Sequence, residues 1–152
     1  MKIITKIFST WFGLGLLPGP TGTYGTLGAV VVYWLVRDLS VLHYVLGVVI
    51  FIFIASFFSQ LHENFSSLHD DGSIVIDEVA GFLVTMVLIP FSWQHVLLGF
   101  ILFRLFDILK PFPIRLIDQK LKGGWGVVLD DVLAGIFANL ILRGIIYATS
   151  NG

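Results

Sequence analysis

The chain has 152 residues, 57% of them hydrophobic and 12% charged, with a mean hydropathy of +0.94 and a formal net charge of −1. A soluble domain of this size cannot hide that much apolar surface, so membrane residence is the default reading, in one domain over residues 1–152. The lack of cysteine excludes disulfide and thiolate chemistry, and the near-neutral charge supplies no basic face for nucleic acid.

The chain opens with "MKIITKIFSTWFGLGLLPG", two lysines in an apolar stretch without a small-x-small cleavage site. This reads as an amphipathic lead-in lying near the membrane interface. Five apolar segments follow, at roughly 24–36, 41–61, 76–89, 93–109 and 126–147. The second contains no Asp, Glu, Lys or Arg and is the cleanest spanning helix. "IPFSWQ", Ile89 to Gln94, splits a longer apolar run in two, because Pro90 discourages continuation of the helix. The expected fold is therefore all-α: a polytopic transmembrane bundle of about five short helices behind the amphipathic lead-in.

Charge sets the orientation. With five crossings and a cytoplasmic N-terminus, Lys2, Lys6, Lys110, Arg115, Lys120 and Lys122 fall inside, while Arg37 and Arg143 fall outside. That topology brings "PGPTGTYGT", "DDGSIVIDE", "RLFDILKPFPIR" and "GGWGVVLDD" to one cytoplasmic face.

Asp130 and Asp131 are the least expected residues in the last segment. Two mid-membrane aspartates cost roughly 5–7 kcal/mol on insertion scales. The following small or polar positions Ala134, Gly135, Ala138 and Asn139 let another helix approach, so this face meets protein and not lipid. Asp77 and Glu78 open the third segment, where the helix dipole alone accounts for acidic residues. Asp107 ends the fourth, the wrong end for the dipole. Five carboxylates at one depth repel unless cations sit among them, and hard oxygen ligands of this kind suit Mg²⁺ with substrate phosphate. Arg104 and Asp107 are neighbours at i, i+3, an ordinary ion pair or, with Lys110, a cationic clamp for phosphate. Thr21, Thr23 and Thr26 precede a helix among glycines, a turn with a threonine cap or an anion cradle. His43, His62, His69 and His95 have no metal-ligand spacing, and His62, Glu63, His69, Asp70 and Asp71 read as a solvated loop.

With these pieces laid out, the chain resembles the bacterial phosphatidylglycerophosphatase A family. "GTYGT" (22–26), "DDGSIVIDEVAG" (70–81), "FRLFDILKPFPIR" (103–115) and "GGWGVVLDDVLAG" (123–135) carry the resemblance, which covers nearly the whole chain. One departure is Thr21, where the family usually has proline; here Pro20 stands one place earlier. The resemblance implies a multi-pass, inner-membrane, Mg²⁺-dependent phosphatase with its site facing the cytoplasm. It implies conversion of phosphatidylglycerophosphate to phosphatidylglycerol, with membrane lipids as its surroundings. The expected ligand set is a subset of Asp77, Glu78, Asp130 and Asp131. Lys110, Arg104 and Arg115 would stabilise phosphoryl charge, with Thr23 on the substrate. Asp107 is a further ligand, a general base or the orienter of Lys110, and direct attack by an aspartate stays open; Asp107, Lys110 and Asp131 are the expected catalytic residues. Oligomeric state is not legible in the sequence.

Three rivals stand beside this reading, and one of them, a non-catalytic membrane scaffold, does not explain the convergence of five carboxylates with three cations. An intramembrane lipid phosphotransferase of the CDP-alcohol type would open Asp-Gly-x-x-Ala-Arg, but Ser-Ile-Val-Ile follows Asp71-Gly72. A small cation transporter subunit would string its carboxylates through the bilayer depth.

Overall fold

The computed structural model describes residues 1–66 and 71–150, and the regular elements among them are all helical. In chain order they are α1 (Lys2–Ser9), a 3-10 turn at Leu14–Leu16, α2 (Thr21–Val36), α3 (Val41–Ser66), α4 (Ile76–Thr85), α5 (Trp93–Leu109), α6 (Ile114–Lys120) and α7 (Gly124–Ser150). Each of the five apolar segments contains one helix. Two of them, α3 with 26 residues and α7 with 27, are long and apolar enough to cross a membrane. At 1.5 Å per residue, α4 extends only about 15 Å and is a half-span by itself.

The short α4 lies at the centre. It packs against α2, α3, α5 and α7, and Ile76, Asp77 and Val79 to Thr85 are all buried. Its apolar side chains thus meet protein on every side, while the outer helices turn theirs outward. On α3, Leu42, Ile50, Phe53 and Phe57 are exposed, and on α7, Leu140 and Ile141 are too. Exposed apolar side chains on the two helices long enough to cross a membrane are what a lipid-facing surface requires.

Glycine decides how close α4 and α7 come. A Cβ at Gly135 would collide with the Gly81 carbonyl, and one at Gly81 with the Asp131 carbonyl and the Phe103 ring. The backbones therefore touch where the helices cross, as small residues permit. The same stripe of α7 continues through buried Ala134, Ala138 and Leu142. Asn139 donates from Nδ2 to the Thr85 and Val87 carbonyls at 2.7 and 2.8 Å, satisfying the otherwise open end of α4.

Three local expectations change. Helix α2 starts at Thr21, so Gly22 and Gly25 lie inside the helix and not in a loop before it. Pro20 sits at its N-cap, where a missing N–H costs nothing. Likewise α7 begins at Gly124. Finally, α1 buries its polar Thr5 and Ser9 against α3 and exposes Ile3, Ile4 and Ile7. Only the small polar side chains of α1 turn inward; Lys2 and Lys6 stay exposed beside the isoleucines.

Candidate active site

The starts of α2, α4 and α7 and the end of α5 meet at one end of the bundle. They surround a cavity of about 330 Å³ lined by Thr21, Asp77, Glu78, Asp107, Lys110, Asp118, Asp130 and Asp131, among others. The antiparallel alternation of the apolar helices produces this: every second terminus returns to the same face. The opposite ends of α2 and α4 meet instead around Arg37, Tyr44, Met86 and Ile89.

Asp77 and Glu78 stand in the first turn of α4, whose N-terminal dipole favours them. Asp131 reaches them from α7, and one ligand oxygen from each of the three lies within 4.8 Å of the others. Asp77 Oδ1, Glu78 Oε2, Asp130 Oδ1 and Asp131 Oδ2 are buried without a hydrogen-bond partner among the described residues. Buried carboxylate oxygens left unpaired are costly, and a bound cation removes that cost. The donor set, all hard oxygen, fits a divalent ion.

Two cations serve six carboxylates. Arg104 Nη1 donates to Asp107 Oδ2 at 2.5 Å, the expected i, i+3 pair, and stands 3.8 Å from Glu78 Oε1. Gly22 makes this possible, since a Cβ there would strike both the Glu78 carboxylate and the Arg104 guanidinium. Arg104 Nε has no partner among the described residues. Lys110 caps α5 in a left-handed conformation (φ 41°, ψ 57°), which turns its side chain back over the cavity. Its Nζ donates to Asp118 Oδ1 and to Asp130 Oδ2, both at 2.6 Å. Burial pulls the Lys110 ammonium down, but the bonds to Asp118 and Asp130 outweigh it and hold its pKa above the ordinary lysine value.

The structure thus brings together Asp77, Glu78, Asp107, Lys110, Asp130 and Asp131 around one cavity, with Arg104 paired to two of them. Asp107 is bonded to Arg104, while Lys110 is bonded to Asp118 and Asp130. Thr23 and Arg115 do not line the cavity; Thr21 stands there instead, its Oγ1 donating to the Gly72 carbonyl at 2.8 Å. Asp118 has no link to Lys110 that the sequence shows, because Pro111 and Pro113 turn the chain between them and no helical spacing relates the two. His62 is buried, with Nδ1 2.5 Å from Ser9 Oγ and Nε2 3.4 Å from Asp71 Oδ2. It is a tether between helices and not part of a solvated loop. His69 and Asp70 lie outside the described residues.

Residues 7–146 match the family described as Phosphatidylglycerophosphatase A. The chain is 39% identical over 143 residues to the phosphatidylglycerophosphatase A of Haemophilus influenzae, covering 93% of this chain and 88% of the relative. It is 37% identical over 142 residues to the protein of that name from Escherichia coli, covering 93% and 80%. A Bacteroides thetaiotaomicron protein provisionally named a phosphatidylinositol-3-phosphatase is 30% identical over 148 residues, covering 93% and 92%. No solved structure matches the chain.

Proposed function

This chain belongs to the phosphatidylglycerophosphatase A family, and from that premise we propose that it is a membrane phosphatase which hydrolyses phosphatidylglycerophosphate to phosphatidylglycerol and inorganic phosphate. The carrying observation is the charge balance of the cavity: six carboxylates against Arg104 and Lys110, with four buried carboxylate oxygens unpartnered among the described residues. An anionic phosphomonoester enters such a cavity only together with a cation. Mg²⁺ is the ion the oxygen donors favour, and Asp77, Glu78 and Asp131 would hold it, with Asp130 beside them. When bound, it neutralises phosphate charge and acidifies a water.

The chain's own residues do the rest. Lys110, fixed by Asp118 and Asp130, offers its remaining proton to a phosphoryl oxygen, and Arg104 offers Nε. Asp107, bonded to Arg104, takes the proton of the attacking water and returns it to the glycerol oxygen as the bond from phosphorus to that oxygen breaks. The five apolar helices form a polytopic bundle in the bacterial inner membrane, short ones spanning where partner helices and a thinned bilayer shield their ends. The lysine-rich end, and with it the cavity, faces the cytoplasm. A phosphate tethered to diacyl chains then meets these side chains at headgroup depth. Carboxylates gathered at one end do not make the graded path a cation transporter needs.

The test is phosphate release by purified protein from phosphatidylglycerophosphate in mixed micelles, with Mg²⁺ and with EDTA. Release that EDTA stops and Mg²⁺ restores is expected. Absence of release from this lipid would overturn the function, and release indifferent to EDTA would remove the metal. The Bacteroides relative's name points to a second phosphorylated lipid, so phosphatidylinositol-3-phosphate belongs in the same assay as a competing substrate.

A further inference from the structure

A second cavity of about 330 Å³ lies between α1, the last turns of α3 and the segment that leads into α4. Lys2, Lys6, His62, Phe65, Asp71 and Ser73 line it. We propose that this cavity binds the phosphate of an anionic membrane phospholipid, at a place separate from the candidate active site.

Charge comes first. Lys2 and Lys6 are one turn apart on α1 and so share a face. Neither forms an ion pair with a described residue; Lys2 rests its ammonium 5.4 Å from the Phe65 ring centroid. The carboxylate lining the cavity, Asp71, is already engaged. Its Oδ1 accepts from the Ser73 backbone N–H at 3.0 Å, and its Oδ2 stands 3.4 Å from His62 Nε2. Glu63 is buried and does not line the cavity. The lysine charge therefore remains available to an anion.

Shape and surroundings select a lipid. Leu16 and Phe65 line the cavity together with the lysines, and both are exposed, so apolar and cationic groups adjoin at its edge. A free phosphate ion uses only the lysines, whereas a phospholipid uses both. The membrane depth also agrees. In the tight turn 71–74, closed by the Ile74 N–H donating to the Asp71 carbonyl at 2.8 Å, Asp71 and Ser73 line this cavity while Gly72 and Ile74 line the first one. The two cavities share that wall, and both lie at the lysine-rich end, where anionic headgroups attract basic side chains.

The test uses the full-length protein purified in detergent, with retained lipid counted by native mass spectrometry. Phosphatidylglycerol and phosphatidylcholine are supplied in equal amounts to the wild type, to K2Q/K6Q and to K2R/K6R. Preference for phosphatidylglycerol should fall about fivefold per lysine removed, roughly thirtyfold in K2Q/K6Q, and persist in K2R/K6R. Inorganic phosphate at equal concentration should not displace the lipid. An unchanged preference in folded K2Q/K6Q overturns the proposal, and displacement by phosphate alone reassigns the site to a soluble anion, which also overturns it. Phosphate release by K2Q/K6Q in detergent is measured in parallel. That activity reads the first cavity only, so failure of one assignment is distinguishable from failure of the other.

Discussion

Lys110 and Asp130, twenty positions apart in the chain, meet at 2.6 Å across the mouth of the acidic cavity. The pair is asymmetric: the Asp130 side chain is 5% exposed and that of Lys110 26%. Replacing Lys110 by Gln leaves Asp130 buried beside a neutral amide. That should cost roughly 2 kcal/mol, less than the ~3–5 of a fully dry pair broken on one side. Loss of a charge aimed at phosphate should lower kcat/KM by about a hundredfold or more. The double variant K110Q/D130N should recover much of the melting temperature and none of the activity. Recovery of both, or of neither, would show that the pair does not divide its roles in this way.

Asp131 tests the cation. In Asp131→Asn the donor set falls from three clustered carboxylates to Asp77 and Glu78, without loss of volume. Mg²⁺ should raise the melting temperature of the wild type, because a ligand that binds the folded form alone stabilises it. In Asp131→Asn that Mg²⁺-dependent rise should vanish together with turnover, while the melting temperature without metal stays level or increases as repulsion is relieved. A full Mg²⁺ response in this variant would take Asp131 out of the ligand set.

Much of this arrangement is legible in the chain before any coordinates. Alternating apolar segments send Asp77, Asp107 and Asp130 to the same end by parity alone, and the small residues after Asp131 announce a protein-facing stripe. What stays hidden has a physical reason in each case. Asp118 reaches Lys110 only because a left-handed residue and a proline-rich turn fold α6 back on α7. The burial of His62 depends on Ser9, 53 positions away, which no periodicity relates to it. Thr21 and not Thr23 faces the cavity because α2 begins one turn earlier than its apolar pattern implies.

The crossing of α4 and α7 predicts a sharp stability effect. A methyl group at Gly135 must push against the Gly81 carbonyl, a backbone atom that yields only if one whole helix moves. Gly135→Ala should destabilise by about 1–3 kcal/mol, the usual range for overpacking. Gly144, also on α7, has nothing within 4 Å of a built Cβ, so Gly144→Ala is the matched control and should be neutral or mildly stabilising through helix propensity. Thermal unfolding in detergent measures both. Equal effects at the two positions would mean that the helices do not touch at Gly135.

The tether between α1 and the wall of the two cavities should depend on pH in a definite direction. Burial by itself would raise the Asp71 carboxyl, but the Ser73 backbone and hydroxyl and the nearby His62 outweigh it, holding its pKa below the ordinary 3.8. A carboxyl whose folded pKa is depressed binds fewer protons in the folded chain than in the unfolded one over that interval. Its stabilising contribution is therefore complete above the unfolded value and is lost as the pH falls through the folded one. Asp71→Asn removes the contribution at every pH. The melting temperature of the wild type should thus exceed that of Asp71→Asn at pH 7, keep that margin down to about pH 4, and converge with it in stronger acid. The same wall carries the Val75 N–H, which donates to the Ser9 carbonyl of α1 at 2.9 Å, and the Gly72 carbonyl that Thr21 holds. Loosening it in Asp71→Asn should also speed amide hydrogen exchange at Val75, one residue before the helix that presents Asp77 and Glu78. A constant melting gap across the whole pH range, or unaltered exchange at Val75, would mean that Asp71 is a surface carboxylate with no hold on the site.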